Sequence, residues 1–115
     1  MLLHNTPTWL TLNGTNEVLE LFSDRVIMHH TGWLARRLPL FFGGARMVYL
    51  DEVTDVSLSA VRFRPVVEFR IVISSIYQAD LCATCFEGDY TTACLMVDRI
   101  EIFMEHGTFQ PPLGS

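Results

Sequence analysis

The order of apolar and polar residues along the chain predicts extended structure over most of its length. In VVEFRIVIS, apolar and charged residues alternate so that Phe69, Ile71 and Ile73 share one face of a strand. In VTDVSLSA, Val56, Leu58 and Ala60 alternate in the same way with Ser57 and Ser59. With the apolar runs around them, these patterns predict strands at residues 25–32, 46–50, 53–60, 66–74 and 77–86.

Two turns interrupt the first apolar runs. Asn13 and Gly14 lie between TWLTL and TNEVLEL, and both residue types accept the positive φ angles of a type I′ turn. We therefore expect a β-hairpin with these two residues at the centre of its turn. Ser23 and Asp24 are expected to form the next turn, before the strand that begins at Arg25.

The periodicity changes to that of a helix near the C-terminal end. Over residues 90–106 apolar residues recur every three or four positions, which places six side chains on one stripe: Ala93, Met96, Val97, Ile100, Phe103 and Met104. Leu95 and Ile102 fall on the other side of this predicted helix. We expect these two side chains to face outward.

Composition indicates a single globular domain with an uneven distribution of charge. The chain has 115 residues, of which 50% are hydrophobic, and its formal net charge is −5. Residues 25–70 contain seven arginines and four acids, whereas residues 71–115 contain six acids and one arginine. The acidic part of one copy can therefore meet the basic part of another. The overall negative charge argues against nucleic acid as a partner.

Residues 31–53, TGWLARRLPLFFGGARMVYLDEV, are too apolar for an ordinary surface loop and too charged to cross a membrane. Three interpretations stay open: the segment packs on the domain's own core, it contacts a second copy, or it contacts a lipid surface. For an interface with a second copy or another partner, the candidates are Trp33, Leu40, Phe41, Phe42, Leu95 and Ile102. For contact with an anionic partner or lipid, the candidates are Arg36, Arg37, Arg62 and Arg64.

Three parts of the chain follow one family's pattern: the run SDRVIMHHTGWLARR, the later run VYLDEVTDVSLS, and the strand pair and helix that follow them. With these parts, the chain resembles the bacterial pleckstrin-homology-like (PH-like) domains. The matching positions are Asp24-Arg25, Gly32, Trp33-Leu34, Arg36-Arg37 and Leu50-Asp51-Glu52-Val53. The added LPLFFGGA after the basic pair departs from that pattern. The resemblance implies a mainly β (α+β) fold, a barrel of two orthogonal antiparallel sheets capped by one C-terminal helix. Residues 17–106 would form this domain, residues 1–16 an N-terminal extension or extra hairpin strand, and residues 107–115 a flexible tail.

No residue pattern in the chain predicts a catalytic, metal or cofactor site. Cys82 and Cys85 have the spacing of a half-site for zinc or redox chemistry, but residues three apart on a strand point to opposite faces. The serines lack the local signature of a nucleophile, and glycine-rich phosphate loops are absent from the sequence. We therefore expect a protein that is not an enzyme and has no cofactor.

The function predicted from the sequence is that of a non-catalytic, self-associating interaction module. The PH-like resemblance also allows lipid headgroup and peptide binding, and fold alone cannot choose among these functions. The main alternative is a peripheral module that binds anionic membranes, and a lesser one is a small-molecule-binding protein or an enzyme. The expected partner is a second copy of the chain, with an anionic membrane surface or a membrane protein as alternatives. The N-terminal sequence has no pattern of an export signal, which predicts a cytoplasmic location with membrane association as an option.

Overall fold

The computed structural model describes residues 9–31 and 45–106, and within these two ranges the chain forms two antiparallel sheets and one C-terminal helix. The strands are β1 (Leu10–Asn13), β2 (Glu17–Leu21), β3 (Arg25–His30), β4 (Ala45–Tyr49), β5 (Val53–Arg62), β6 (Glu68–Ser75) and β7 (Leu81–Phe86). Short 3-10 helices follow β4 (Leu50–Glu52) and β7 (Glu87–Asp89), and helix α1 covers Tyr90–His106. The predicted strands and the bounds of the predicted helix are confirmed, apart from the differences given below.

The two sheets remain separate, so the expectation of a closed barrel is wrong. Strands β1 to β4 form one sheet in chain order, and β5 to β7 form the other. Hydrogen bonding between strands stops at the edges of each sheet. A backbone bond from the N–H of Thr15 to the carbonyl of Thr84, 2.8 Å long, connects the β1–β2 turn to β7. The sheets therefore associate mainly through the side chains between them.

The hairpin of β1 and β2 forms as expected, but its turn is centred two residues further along the chain. Asn13 pairs with Val18, and the N–H of Gly14 donates to the carbonyl of Glu17 over 2.8 Å, which leaves Thr15 and Asn16 as the central residues. A β-carbon on Gly14 would lie 2.6 Å from the carbonyl oxygen of Thr84. Glycine is thus needed here for the close approach of β7 rather than as a central turn residue.

The predicted turn at Ser23 and Asp24 is confirmed. The N–H of Phe22 donates to the carbonyl of Arg25 across the turn, with a donor–acceptor distance of 2.8 Å. The strand predicted from Tyr77 begins only at Leu81, because the preceding residues form a loop over the edge of β4.

That loop, residues 76–80, bonds to β4 in place of continuing the strand. The guanidinium of Arg46 donates to the carbonyls of Ala79 and Asp80, and the side-chain amide of Gln78 donates to the carbonyl of Met47 over 2.8 Å. Tyr77 is 76% exposed as a result.

The core lies between the inner faces of the two sheets and is closed on one side by α1. Helix α1 contacts β5 of one sheet, β1 of the other and the first 3-10 helix. Its buried residues come from the predicted stripe, although Met104 is 38% exposed. The buried side chains of the core are Leu12, Leu19, Leu21, Val26, Met28, Val48, Leu50, Val53, Val56, Ile71, Ile73, Leu81, Ala83, Cys85, Ala93, Met96 and Ile100.

Candidate interaction surface

The loop between β5 and β6 exposes apolar side chains at one end of the second sheet. We call residues 61–67 the hairpin tip. Phe63 is 71% exposed, and Val61 and Val66 beside it are exposed as well. The pairing of β5 with β6 shifts register just before Arg62, and Pro65 has no N–H to donate to a ladder. The strands therefore end here, and the apolar side chains extend beyond the core.

The hairpin tip also carries positive charge, which the described residues neutralise only in part. The Nε of Arg62 lies 3.6 Å from a carboxylate oxygen of Glu68, and the Arg62 side chain is largely exposed. Within residues 9–31 and 45–106, no ion pair or hydrogen bond is made by the Arg64 side chain. Arg70, two residues after Glu68, is exposed on the same sheet. The tip thus combines an exposed aromatic ring with adjacent guanidinium groups.

Further apolar side chains continue this surface along the end of the sheet. Phe86, which pairs with Glu68 across β6 and β7, is exposed. Tyr90, at the start of α1, packs against Phe69 with ring centroids 4.3 Å apart and remains partly open to solvent. The exposed apolar area is therefore larger than the tip alone.

The outward side of α1 carries acidic side chains and the exposed apolar side chain of Leu95. Leu95 is 41% exposed, whereas Ile102 is half-buried, so these two predicted interface residues do not form an equally open pair. Asp98, Glu101 and Glu105 are exposed on this helix. Helix α1 therefore carries exposed negative charge, whereas the hairpin tip carries exposed positive charge.

A cleft of about 270 Å³ lies at the other end of β5. It is bounded by the first 3-10 helix and the last turns of α1, and its lining residues are Leu50, Asp51, Val53, Phe103 and Met104. Asp51 is exposed and Met104 is open to solvent, so the cleft has an apolar floor with a carboxylate at its rim. Because β5 has ten residues, the cleft and the hairpin tip are separated by about 30 Å along the strand.

The cysteines are free thiols that do not form a shared site with the CxxC spacing. Cys82 is exposed and Cys85 is buried, which confirms that the two face opposite sides of β7. Burial raises the pKa of the Cys85 thiol, and the nearby Asp89 and Cys94 raise it further. A thiol with a raised pKa is a poor nucleophile at neutral pH. Among the described residues, no three His, Cys, Asp or Glu side chains are grouped so that they could hold a metal ion.

The predicted site residues divide into three groups, one of which is the pair Leu95 and Ile102 on α1. Six of the predicted residues lie outside the described residues: Trp33, Leu40, Phe41, Phe42, Arg36 and Arg37. Arg62 and Arg64 lie on the hairpin tip, at the far end of β5 from the cleft. Phe63 was not among the residues predicted from the sequence, although its position between two arginines in RFRPVV is a signal of an exposed loop.

Neither a membrane-spanning helix among the described residues nor a matching known protein was found. Among the described residues, no helix combines the length and the hydrophobicity that crossing a bilayer requires. No protein-family model matches the chain, and no curated protein or solved structure matches it either.

Proposed function

We propose that the chain is a non-catalytic, self-associating interaction module with a PH-like fold. Four strands in chain order, three further strands in a second sheet, and one C-terminal helix support the PH-like assignment. The observation that carries the function is the exposure of Phe63 between Arg62 and Arg64 at the hairpin tip. Exposed aromatic and arginine side chains are the residue types that contribute most to protein interfaces.

The energetic scale of this surface favours reversible association. Complete burial of one phenylalanine side chain contributes about 1.5–3 kcal/mol. Association costs about 4–15 kcal/mol in lost freedom of motion, so the tip needs the support of further contacts and of charge pairing. We therefore expect assembly that depends on protein concentration.

Charge favours a second copy over other partners. The arginines of the tip require an anionic surface, and the exposed Asp98, Glu101 and Glu105 of α1 provide one on every copy. The chain as a whole has a net charge of −5, which repels it from an anionic bilayer while the local charges still attract complementary patches.

Size-exclusion chromatography with light scattering tests this function. The wild-type chain should show a mass above the 13.1 kDa of one copy, increasing with concentration. Phe63→Ser should shift the distribution toward the monomer, while Ser59→Ala, an exposed change on the same strand, should leave it unchanged. A wild-type chain that stays monomeric at hundreds of micromolar would remove the proposal.

Contact with an anionic membrane is the second candidate function. An aromatic ring between two arginines at a loop tip is suited to the bilayer interface, where each arginine contributes about 1 kcal/mol near an anionic surface. Sedimentation with vesicles containing phosphatidylserine should then show binding that weakens with salt and with Arg62→Ala and Arg64→Ala. Absence of binding at low salt would reject this candidate.

A further inference from the structure

We propose that the copies associate head to tail: the hairpin tip of one copy docks in the cleft between the first 3-10 helix and the C-terminal turns of α1 in the next. This inference rests on the proposed self-association and specifies which surfaces meet. It commits to a second copy of the chain as the occupant of the cleft.

The position of the two surfaces makes this arrangement possible. Val53 begins β5 and lines the cleft, and Arg62 ends β5 in the hairpin tip. The two surfaces therefore lie at opposite ends of one rigid strand, about 30 Å apart. A tip cannot reach the cleft of its own copy across that distance, so it can fill only the cleft of another copy.

The size and lining of the cleft fit a single aromatic side chain. Its volume of about 270 Å³ lies just below the range of about 300–1,000 Å³ that is usual for sites of drug-sized ligands. Met104, which is 38% exposed, and the half-buried Phe103 provide apolar surface for the ring of Phe63, whereas Leu50 and Val53 belong to the buried core. The exposed ring of Phe63 and the apolar part of the cleft are thus complementary in chemistry.

The charges around the two surfaces are of opposite sign. Arg62 and Arg64 flank Phe63 on the tip. Asp51 lines the cleft and is exposed, and Glu105 is exposed next to Met104 in the helix. Insertion of the ring would bring the arginines toward these carboxylates, which selects this orientation of the two copies.

Head-to-tail docking has a distinctive consequence for symmetry. Each copy offers one tip and one cleft, so the interface joins two different surfaces and propagates into a closed ring or a filament. A two-fold symmetric dimer through any single surface, including the Leu95 side of α1, would stop at two copies.

Mixing two variants tests the inference. Phe63→Ser removes the tip and leaves the cleft, whereas Asp51→Arg places a positive charge at the rim of the cleft and leaves the tip. Both residues are exposed, so neither change disturbs the core. By sedimentation velocity, each variant alone should associate at least about tenfold more weakly than wild type. An equimolar mixture should form a one-to-one complex of twice the 13.1 kDa monomer mass and no larger species.

The controls separate this inference from self-association itself. Leu95→Ser changes an exposed apolar residue outside both surfaces and should leave the wild-type assembly intact. If wild type associates but the mixed variants remain monomeric, or if Leu95→Ser abolishes assembly, head-to-tail docking is overturned while self-association stands. If wild type itself is monomeric, both proposals fail together.

Discussion

Two hairpin ends of this molecule differ in how they contact the rest of the fold: one packs against a neighbouring strand, and the other extends into solvent. The turn between β1 and β2 is built from small polar residues, yet it packs against β7: the Thr15 N–H bonds to the Thr84 carbonyl, and their hydroxyls are 2.7 Å apart. The hairpin tip between β5 and β6 is apolar and basic, yet it extends into solvent with Phe63 exposed.

The contrast separates a turn that stabilises the fold from a tip that we propose contacts a partner. A polar turn that is docked satisfies its hydrogen bonds inside the molecule and joins the two sheets. An aromatic tip that is exposed gains little from the fold, because its ring buries little apolar area there. The docked turn should therefore be sensitive to changes that alter stability, and the exposed tip to changes that alter association.

Gly14→Ala should have the largest effect on the docked turn. The added β-carbon would lie 2.6 Å from the Thr84 carbonyl oxygen and 2.8 Å from that of Glu17, so backbone must move. We expect a loss of about 1–3 kcal/mol in the free energy of unfolding, measured by urea titration. Gly88→Ala is the matched control, since a β-carbon at Gly88 meets no atom within 4 Å. Equal stability of the two variants would contradict the close approach of β7.

Thr84→Val should have a smaller effect on the same contact. It removes the hydroxyl that lies 2.7 Å from the Thr15 hydroxyl and preserves the backbone bond and the shape of the side chain. The expected loss is about 0.5–1.5 kcal/mol in the free energy of unfolding. Thr11→Val, an exposed threonine-to-valine change on β1, controls for the altered residue type. A loss no greater than that of the control would show that the hydroxyl pair does not stabilise the docking.

Cys85, next to Thr84 on β7, should make stability depend on alkaline pH. Burial, then Asp89 and Cys94, raise the pKa of this thiol in the folded chain. The unfolded chain therefore releases the thiol proton first as the pH rises, and the free energy of unfolding falls above about pH 8.5. Comparison of wild type with Cys85→Ala from pH 7 to 10 should show a steeper fall in wild type. Parallel pH profiles would contradict the raised pKa.

Phe63→Ser should have the smallest effect on folding. Since the ring is exposed, we expect a change within about 0.5 kcal/mol in the free energy of unfolding at low protein concentration. Tyr77→Ser, an equally exposed aromatic position in the β6–β7 loop, should behave alike. A large loss for Phe63→Ser in the monomer would mean that the ring supports the fold rather than a partner.

Local patterning predicted the elements of the fold well because each pattern reflects one buried face. The alternation around Ile71 and Ile73 and the helical period through Met96 and Ile100 correspond to side chains that are fully buried. The turn of the first hairpin was misplaced because its position depends on contact with β7, which is distant in sequence.

Features that depend on tertiary contacts could be predicted only in part. The strand expected from Tyr77 begins at Leu81 because Arg46 and Gln78 bond the preceding loop to β4. The cleft lies between a 3-10 helix and the C-terminal end of α1. These segments are distant in sequence, so no local sequence pattern predicts that they lie side by side. At the hairpin tip, Arg62 and Arg64 were predictable from the sequence, whereas the exposure of Phe63 depends on where β5 and β6 end in the fold.

The most direct test of the central claim is a fluorescence measurement on Phe63→Trp, with the wild-type spectrum subtracted to remove the two native tryptophans. If the hairpin tip binds a second copy, the emission of the new indole should shift to shorter wavelength as protein concentration rises, because the ring leaves water. The shift should reverse on dilution. An emission maximum that stays at the value of a solvent-exposed indole at every concentration would contradict the claim.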